Sequence, residues 1–234
     1  MSTKVSLQEL LDSGAHFGHQ ARRWNPKMSS YLYGVQDGVH VFDLVKTKTA
    51  LEEALEYLKT AASEGKTILI LGTKKQAKDK VIEIAVEAGI PYVSERWLGG
   101  TFSNFDQVKK SVKKLADMKA ELAAGVYAKY TKRERQLIEI EITRLERFFG
   151  GVSQLSKLPD VLVVIDTHKE IGAVKEAVAA KIPVVGIVDS NADPDMIDYP
   201  IPMNDDAVKA LSYVLDLIKV AVLDGKKKIK NGKN

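Results

Sequence analysis

Three stretches, 67–71, 161–165 and 182–188, are apolar almost without interruption, whereas the segments around them place apolar residues every three or four positions. A strand covered by helices on both faces reads as a continuous apolar run, and a helix with one buried face repeats at 3.6. Residues 47–64 carry Leu51, Ala54, Leu55, Leu58, Ala61 and Ala62 on one such face and stop at Gly65. The run 67–72 leads into a helix ending near Ala88, and 89–94 reads as a turn and strand. Residues 161–166, 169–180 and 182–189 read as strand, helix and strand, and Asn204 is placed to cap a last helix reaching Leu223. Strands alternating with helices predict an α/β fold: a doubly wound, mainly parallel sheet flanked by helices.

The texture changes between residues 104 and 150. Phe105, Val108, Val112, Leu115 and Leu122 form one narrow stripe, and Asn104 with Gln107 resembles a capping box. The pattern breaks around Gly125. Thr131 and Glu134 then make a stronger capping box ahead of Ile138, Ile142, Leu145 and Phe149. Two narrow stripes facing each other predict an inserted antiparallel coiled-coil hairpin, each arm about 30 Å long at 1.5 Å per residue. The expected division is therefore 1–103 with 151–225 as the α/β domain, 104–150 as the hairpin, and 226–234 as a basic flexible tail.

The N-terminal part is less regular. Residues 5–14 read as a short helix, with Ser6 as cap, Gly14 as terminator, and Val5, Leu7, Leu10 and Leu11 available for burial. Residues 31–34 and 39–44 read as strands about a Gly34–Gly38 turn. Between them, His16-Phe-Gly-His-Gln-Ala-Arg-Arg-Trp-Asn-Pro-Lys-Met28 fits neither period and is expected to be a loop, with Asn25-Pro26 as its turn.

Composition narrows the classes. The 234 residues are 45% hydrophobic and 28% charged, an ordinary globular balance. There is no cysteine, which excludes disulfides and thiolate metal sites. No apolar run approaches the ~20 residues that span a bilayer, and the first residues lack a signal-peptide core, so a cytoplasmic protein is expected. The net charge of +4 is unevenly spread. Segment 104–149 holds 11 Lys/Arg against 7 Asp/Glu, and the tail 224–234 holds 5 against 1. The loop 16–28 holds 3 against none, which leaves an acidic body with 16 basic and 23 acidic residues. Basic appendages on an acidic body suit a polyanion-binding surface.

Three chemistries compete. For an enzyme, strand ends at Gly72-Thr-Lys-Lys75, Asp166-Thr-His168 and Asp189-Ser-Asn191 would face a ligand crevice. Yet neither a dinucleotide nor a P-loop pattern is present, and no nucleophile elbow exists. For a metal, His19, Asp189 and Asp205 would hold a divalent ion such as Zn or Mg if the fold brings the first loop to the strand ends. Alternatively, the histidines bond backbone carbonyls and Asn204-Asp-Asp206 only caps a helix. For nucleic acid, Arg22, Arg23, Trp24 and Lys27, then Lys74 and Lys75, then Arg96 and Trp97, combine cations with loops, glycines or flat rings.

The residues themselves carry a resemblance. His16-Phe-Gly-His-Gln, Arg23-Trp-Asn-Pro-Lys-Met28, Gly72-Thr-Lys-Lys-Gln-Ala77, Arg96-Trp-Leu-Gly-Gly-Thr101 with Asn104, Leu158-Pro-Asp160, Ile182-Pro-Val-Val185, Asp189-Ser-Asn-Ala-Asp-Pro-Asp195 and Ile201-Pro-Met-Asn-Asp-Asp206 follow one another over residues 5–225. In content and order they resemble the family of the second protein of the bacterial small ribosomal subunit. The resemblance implies a non-enzymatic constituent of that subunit, set between head and body, which binds ribosomal RNA and helps to recruit ribosomal protein one. No cofactor is required by it, and the crevice is implied to be idle or ion-filled. It points to Arg22, Arg23, Asn25 and Lys27, to Lys74, Lys75 and Arg96, and to Lys109, Lys110, Lys113 and Lys114 on the hairpin as RNA contacts. Met203 stands where the family pattern has glycine, so its backbone is expected to be ordinary. The alternative is a phosphate- or nucleotide-binding α/β enzyme using the strand ends.

Overall fold

A computed structural model describes residues 5–231. Five parallel strands, β4 (Ile68–Leu71), β5 (Tyr92–Val93), β6 (Val161–Ile165), β7 (Val184–Val188) and β8 (Tyr199–Pro202), lie in the order β5-β4-β6-β7-β8. The chain runs outward from β4 to β5 and then returns to β6 on the other side of β4, so the order reverses between β4 and β6. Every residue of β4, β6 and β7 is buried, as their continuous apolar runs predict. Alternate side chains divide between two cores. Ile68, Ile70, Val161, Val163, Val185 and Ile187 meet helices α1 (Leu7–Asp12), α2 (Leu44–Ser63), α3 (Lys78–Ala88) and α7 (Val208–Asn231). Leu69, Leu71, Leu162, Val164, Val184 and Val188 face α6 (Ile171–Ala179) together with Met28, Phe42, Trp97 and Phe102.

Several boundaries depart from expectation. Residues 17–20 are not loop but strand β1 (Phe17–Gln20), which pairs antiparallel with β3 (Val39–Phe42), itself paired with β2 (Leu32–Gln36). Strand β1 shows no period because pairing with β3 and contact with the β7 loop define it. The turn is also not Gly34–Gly38: β2 continues through Gly34, and Asp37-Gly38 makes the hairpin with φ of 51° and 78°. Two positive φ values belong to a type I′ turn, for which Asp-Gly is a favoured pair. Strand β8 escapes sequence reading because Pro200 and Pro202 cannot donate to a ladder, which is tolerated at this sheet edge.

Caps shift as well. Helix α2 begins at Leu44 rather than Thr47, because the Asp43 side chain accepts from the amides of Val45 and Lys46. Asn204 does not cap α7: its Oδ1 accepts from Asp206 N at 2.8 Å and its Nδ2 donates to Gly14 O. In α1 only Leu10 is buried, beside Val5, while Leu7 and Leu11 stay exposed. Met203 has no positive φ, as expected, and its side chain is fully buried. Helix α7 continues past Leu223, so residues 226–231 of the expected tail are helical and 232–234 lie outside the described residues.

Helices α4 (Phe105–Ala123) and α5 (Lys132–Phe149) lie against one another through Leu115, Ile142 and Leu145, with Met118, Ile138 and Phe149 beside them. The Thr131–Glu134 capping box forms as expected, whereas Asn104 makes no side-chain cap. Toward the turn the stripe is not buried: Leu122 is exposed. Val108, Val112 and Phe149 tie the pair to the second core.

Helices α2 and α7 pack closely at Gly225. A Cβ there would lie 2.4 Å from Lys59 O and 2.6 Å from Ala62 Cβ. In an open helix, glycine to alanine gains about 1 kcal/mol. Here Gly225→Ala is expected instead to lower the unfolding free energy by roughly 1–3 kcal/mol through overpacking. Urea denaturation reads the sign, and a stabilised variant would show that the two helices separate freely.

Candidate nucleic-acid interface

The crevice beyond the ends of β4, β6 and β7 collects charge. Lys74 follows β4, and its Nζ lies 2.6 Å from Asp205 Oδ1, 2.7 Å from Asp206 Oδ1 and 3.4 Å from Asp166 Oδ2. Burial pulls the ammonium down, but the hydrogen bonds to Asp205 and Asp206 outweigh it and hold Lys74 well above the usual lysine range. Asp166 adopts φ 67°, a left-handed conformation that aspartate tolerates, and its Oδ1 accepts from Lys169 N at 2.9 Å. Asp189 Oδ2 accepts from the Asp205 amide at 3.1 Å. One ammonium cannot neutralise this many carboxylates. Asp205, enclosed beside Asp189 and Asp166, is pushed up by burial and by their charge, to about 8.

The first loop does reach these strand ends. Ser190 receives it: His19 N donates to Ser190 Oγ at 2.7 Å, and Asn25 N donates to Ser190 O at 2.7 Å. His19 Nδ1 thereby comes 2.9 Å from Asp189 Oδ1, and the hydrogen bond to Asp189 raises the imidazole's pKa against the opposing effect of burial. Ligand atoms of His19, Asp205 and Asp206 lie within 4.8 Å of one another. Asp189, grouped with His19 and Asp205 in the sequence reading, instead lies behind the imidazole. It occupies the position of a carboxylate that orients a ligand histidine.

The basic residues named from sequence fall into two kinds. Lys27 is held by Asp193 at 2.7 Å and Asp195 at 2.6 Å, and Lys74 by the crevice acids. Lys109 pairs with Asp106 at 2.7 Å and Lys114 with Glu141 at 2.9 Å. Asn25 Oδ1 caps its own turn by accepting from Lys27 N. Arg22, Arg23, Lys75, Arg96, Lys110 and Lys113 are exposed and have no carboxylate partner among the described residues. The structure thus gathers Arg22 and Arg23 at one corner, Lys110 and Lys113 on the first arm helix, and leaves Lys75 and Arg96 at strand ends.

Two acidic residues absent from the sequence reading position this surface. Glu176, on α6, accepts from Trp97 Nε1 at 3.2 Å and from the amides of Gly100 at 2.8 Å and Phe102 at 2.9 Å. The Arg96–Thr101 motif is therefore a loop folded around a carboxylate, and it leads directly into α4. At the other foot of the arm, Glu95 Oε2 receives Arg147 Nε at 2.8 Å and Nη2 at 2.6 Å, while its second oxygen meets Lys78. No local signal marks either residue: Glu176 lies 74 positions from Phe102 and Glu95 lies 52 from Arg147.

At the end of β7 the buried Ser190 hydroxyl donates to Asp189 Oδ1 at 2.9 Å. The cleft next to Arg96 and Lys169 is lined equally by Glu95, Glu170 and Glu176. Thr73 donates to Glu170, and burial raises that carboxyl despite the bond. Phosphate would meet acids there. The crevice of this α/β scaffold is thus filled by its own ion pairs, and cations without carboxylate partners among the described residues stand on the first loop and on α4. The family described as "Ribosomal protein S2" matches residues 10–225. The "Small ribosomal subunit protein uS2" of Coprothermobacter proteolyticus (strain ATCC 35245 / DSM 5265 / OCM 4 / BT) is 43% identical over 222 residues, covering 95% of this chain and 83% of that protein. The protein of the same name from Roseiflexus sp. (strain RS-1) is 45% identical over 221 residues, covering 94% and 84%. The chain belongs to the ribosomal protein S2 family. That family is one of ribosomal structural proteins, so the enzyme alternative falls.

The three donors from Trp97, Gly100 and Phe102, with the amide of Ser103 at 3.4 Å as a fourth, outweigh the burial of Glu176 and hold its carboxyl below the usual range. A depressed carboxylate stabilises the fold above its unfolded pKa and loses that contribution as pH falls through the folded value. Glu176→Gln, which points an amide donor at other donors, is expected to cost roughly 1–3 kcal/mol at pH 7. The gap from wild type should narrow as pH falls below the ordinary glutamate value of about 4.3 and close once it passes the lower folded value. Denaturation across that pH range tests this, and a gap independent of pH would remove the carboxylate from the account.

Proposed function

We propose that this protein is a structural constituent of the small ribosomal subunit that binds small-subunit ribosomal RNA between head and body. In this role it supports docking of ribosomal protein one during translation, beside other small-subunit proteins in the cytoplasm. Family membership carries the assignment to the subunit. The RNA reading is supported by cations that the fold leaves without acids, Arg22, Arg23, Lys75, Arg96, Lys110 and Lys113. Lys27, Lys74, Lys109 and Lys114 reach RNA only by exchanging a carboxylate for a phosphate, and Asn25 acts by shaping its turn. Residues 1–103 and 151–225 serve as the anchoring domain, 104–150 as a coiled-coil arm reaching outward, and 226–234 as a basic extension. No cofactor is needed for this role, and no described helix is long and apolar enough to cross a membrane.

Phosphate contacts make binding salt-dependent, with the slope set by the number of charges neutralised. Lys110→Glu with Lys113→Glu is therefore expected to weaken RNA binding and reduce the salt slope by roughly 1.4–1.8, at about 0.7–0.9 per lost contact. Filter binding across a salt series measures both, and an unchanged slope would turn the arm toward protein or solvent. Sedimentation of the tagged protein from gentle lysates tests the wider reading. Migration with small subunits in low salt and partial loss in high salt is expected. A free ~26 kDa species in low salt, a size set by chain length, would refute it.

The crevice supports a second reading, carried by the closeness of His19, Asp205 and Asp206. A divalent ion, Zn or Mg, would sit on these groups with Asp189 orienting His19, in competition with the Lys74 ammonium. Elemental analysis of chelator-free protein is expected to find one equivalent, absent from His19→Ala. Finding no stoichiometric metal in wild type ends this reading.

A further inference from the structure

The two tryptophans have opposite fates. Trp97 is buried, with its indole N–H bound to Glu176. Trp24 is 36% exposed and makes no side-chain hydrogen bond among the described residues. Its ring lies against His40 of β3, with centroids 4.8 Å apart and planes at 33°. His40 is buried, and neither of its ring nitrogens has a hydrogen-bond partner. Burying an imidazole without partners is unfavourable, so what this ring supplies in the fold is a flat backing surface.

Trp24 is also fixed in place. The corner begins with Ala21 N bonded to Gly38 O at 2.9 Å and ends with Asn25 N bonded to Ser190 O at 2.7 Å. Two backbone anchors four residues apart hold the segment that carries the indole. Its neighbours Arg22 and Arg23 are exposed without carboxylate partners, and the Arg22 guanidinium only donates to Gln20 Oε1 at 3.1 Å. An exposed apolar ring between a turn and two unpaired guanidinium groups fits a ligand that is both flat and anionic.

We propose that Trp24, backed by His40, is a stacking platform for one unpaired RNA base, with Arg22 and Arg23 taking adjacent phosphates. This rests on the RNA-binding reading and deepens it: the corner selects single-stranded nucleotides, whereas arm lysines accept phosphates of any RNA. Stacking needs a base splayed out of its helix, and a partly exposed ring backed by His40 provides the surface. His40 is a positioning residue, and Trp24 is the contact.

The test uses the intact protein with an eight-nucleotide oligoadenylate and a duplex of equal length. Titration with the single strand is expected to quench indole emission saturably, while the duplex binds without quenching. Trp24→Leu should weaken single-strand binding roughly 5- to 150-fold, the equivalent of ~1–3 kcal/mol per stacked base, and leave duplex affinity unchanged. Trp24→Tyr, which keeps a ring, should recover most of the loss, and His40→Ala should reduce quenching with a smaller loss of affinity. Equal weakening for both RNAs would mean a damaged fold, and unchanged single-strand affinity would mean a ring that only packs. Either outcome overturns the platform while salt-dependent binding of both RNAs leaves the RNA reading standing. Failure of the wild type to bind either RNA in low salt overturns both.

Discussion

Strands β4, β6 and β7 have no face exposed to water, and most of the molecule follows from that constraint. A sheet wetted on neither side must be covered twice, so its side chains divide by parity between two cores. Helices α2, α3 and α7 cover one face; α6, the small antiparallel sheet and the foot of the arm cover the other. Polar groups are then pushed to the strand ends. Lys74, Asp166 and Asp189 sit there because the next position back is sealed in hydrocarbon. Charges gathered in so enclosed a place must pair with one another. The crevice where α/β enzymes hold ligands is closed here by Lys74 and His19.

The same constraint sorts the cations. Lys74 beside the sheet and Lys27 in the first loop are drawn into internal pairs, as Lys109 and Lys114 are on the arm, while Arg22, Arg23, Lys110 and Lys113 have no carboxylate partner among the described residues. Placing the arm requires an anchor, which two carboxylates provide. Glu176 gathers the loop that enters α4, and Glu95 holds Arg147 at the end of α5. Their role is geometric: they fix where α4 and α5 leave the α/β body.

Much of this architecture was legible in the order of residues. Continuous apolar runs mark the three buried strands, 3-4 spacing marks α2 and α7, and Thr131 with Glu134 marks the start of α5. Eight ordered motifs indicated the family. These signals are local: burial period and cap chemistry are written within a few residues of where they act. Strand β1 was unreadable because its partners are β3 and Ser190, and β8 because its prolines argue against a strand anywhere but an edge.

The chain by itself determined the fold class, the helical arm and the stock of positive charge. Only tertiary structure decided which of those charges are free. Lys74 meets Asp205 across 131 positions, Lys27 meets Asp193 across 166, and His19 finds Ser190 across 171. Such pairs form because parallel strands end at one edge of a sheet, bringing distant residues within reach of a single side chain. Sequence spacing carries no trace of that meeting, since Coulomb attraction depends on distance through space and on enclosure.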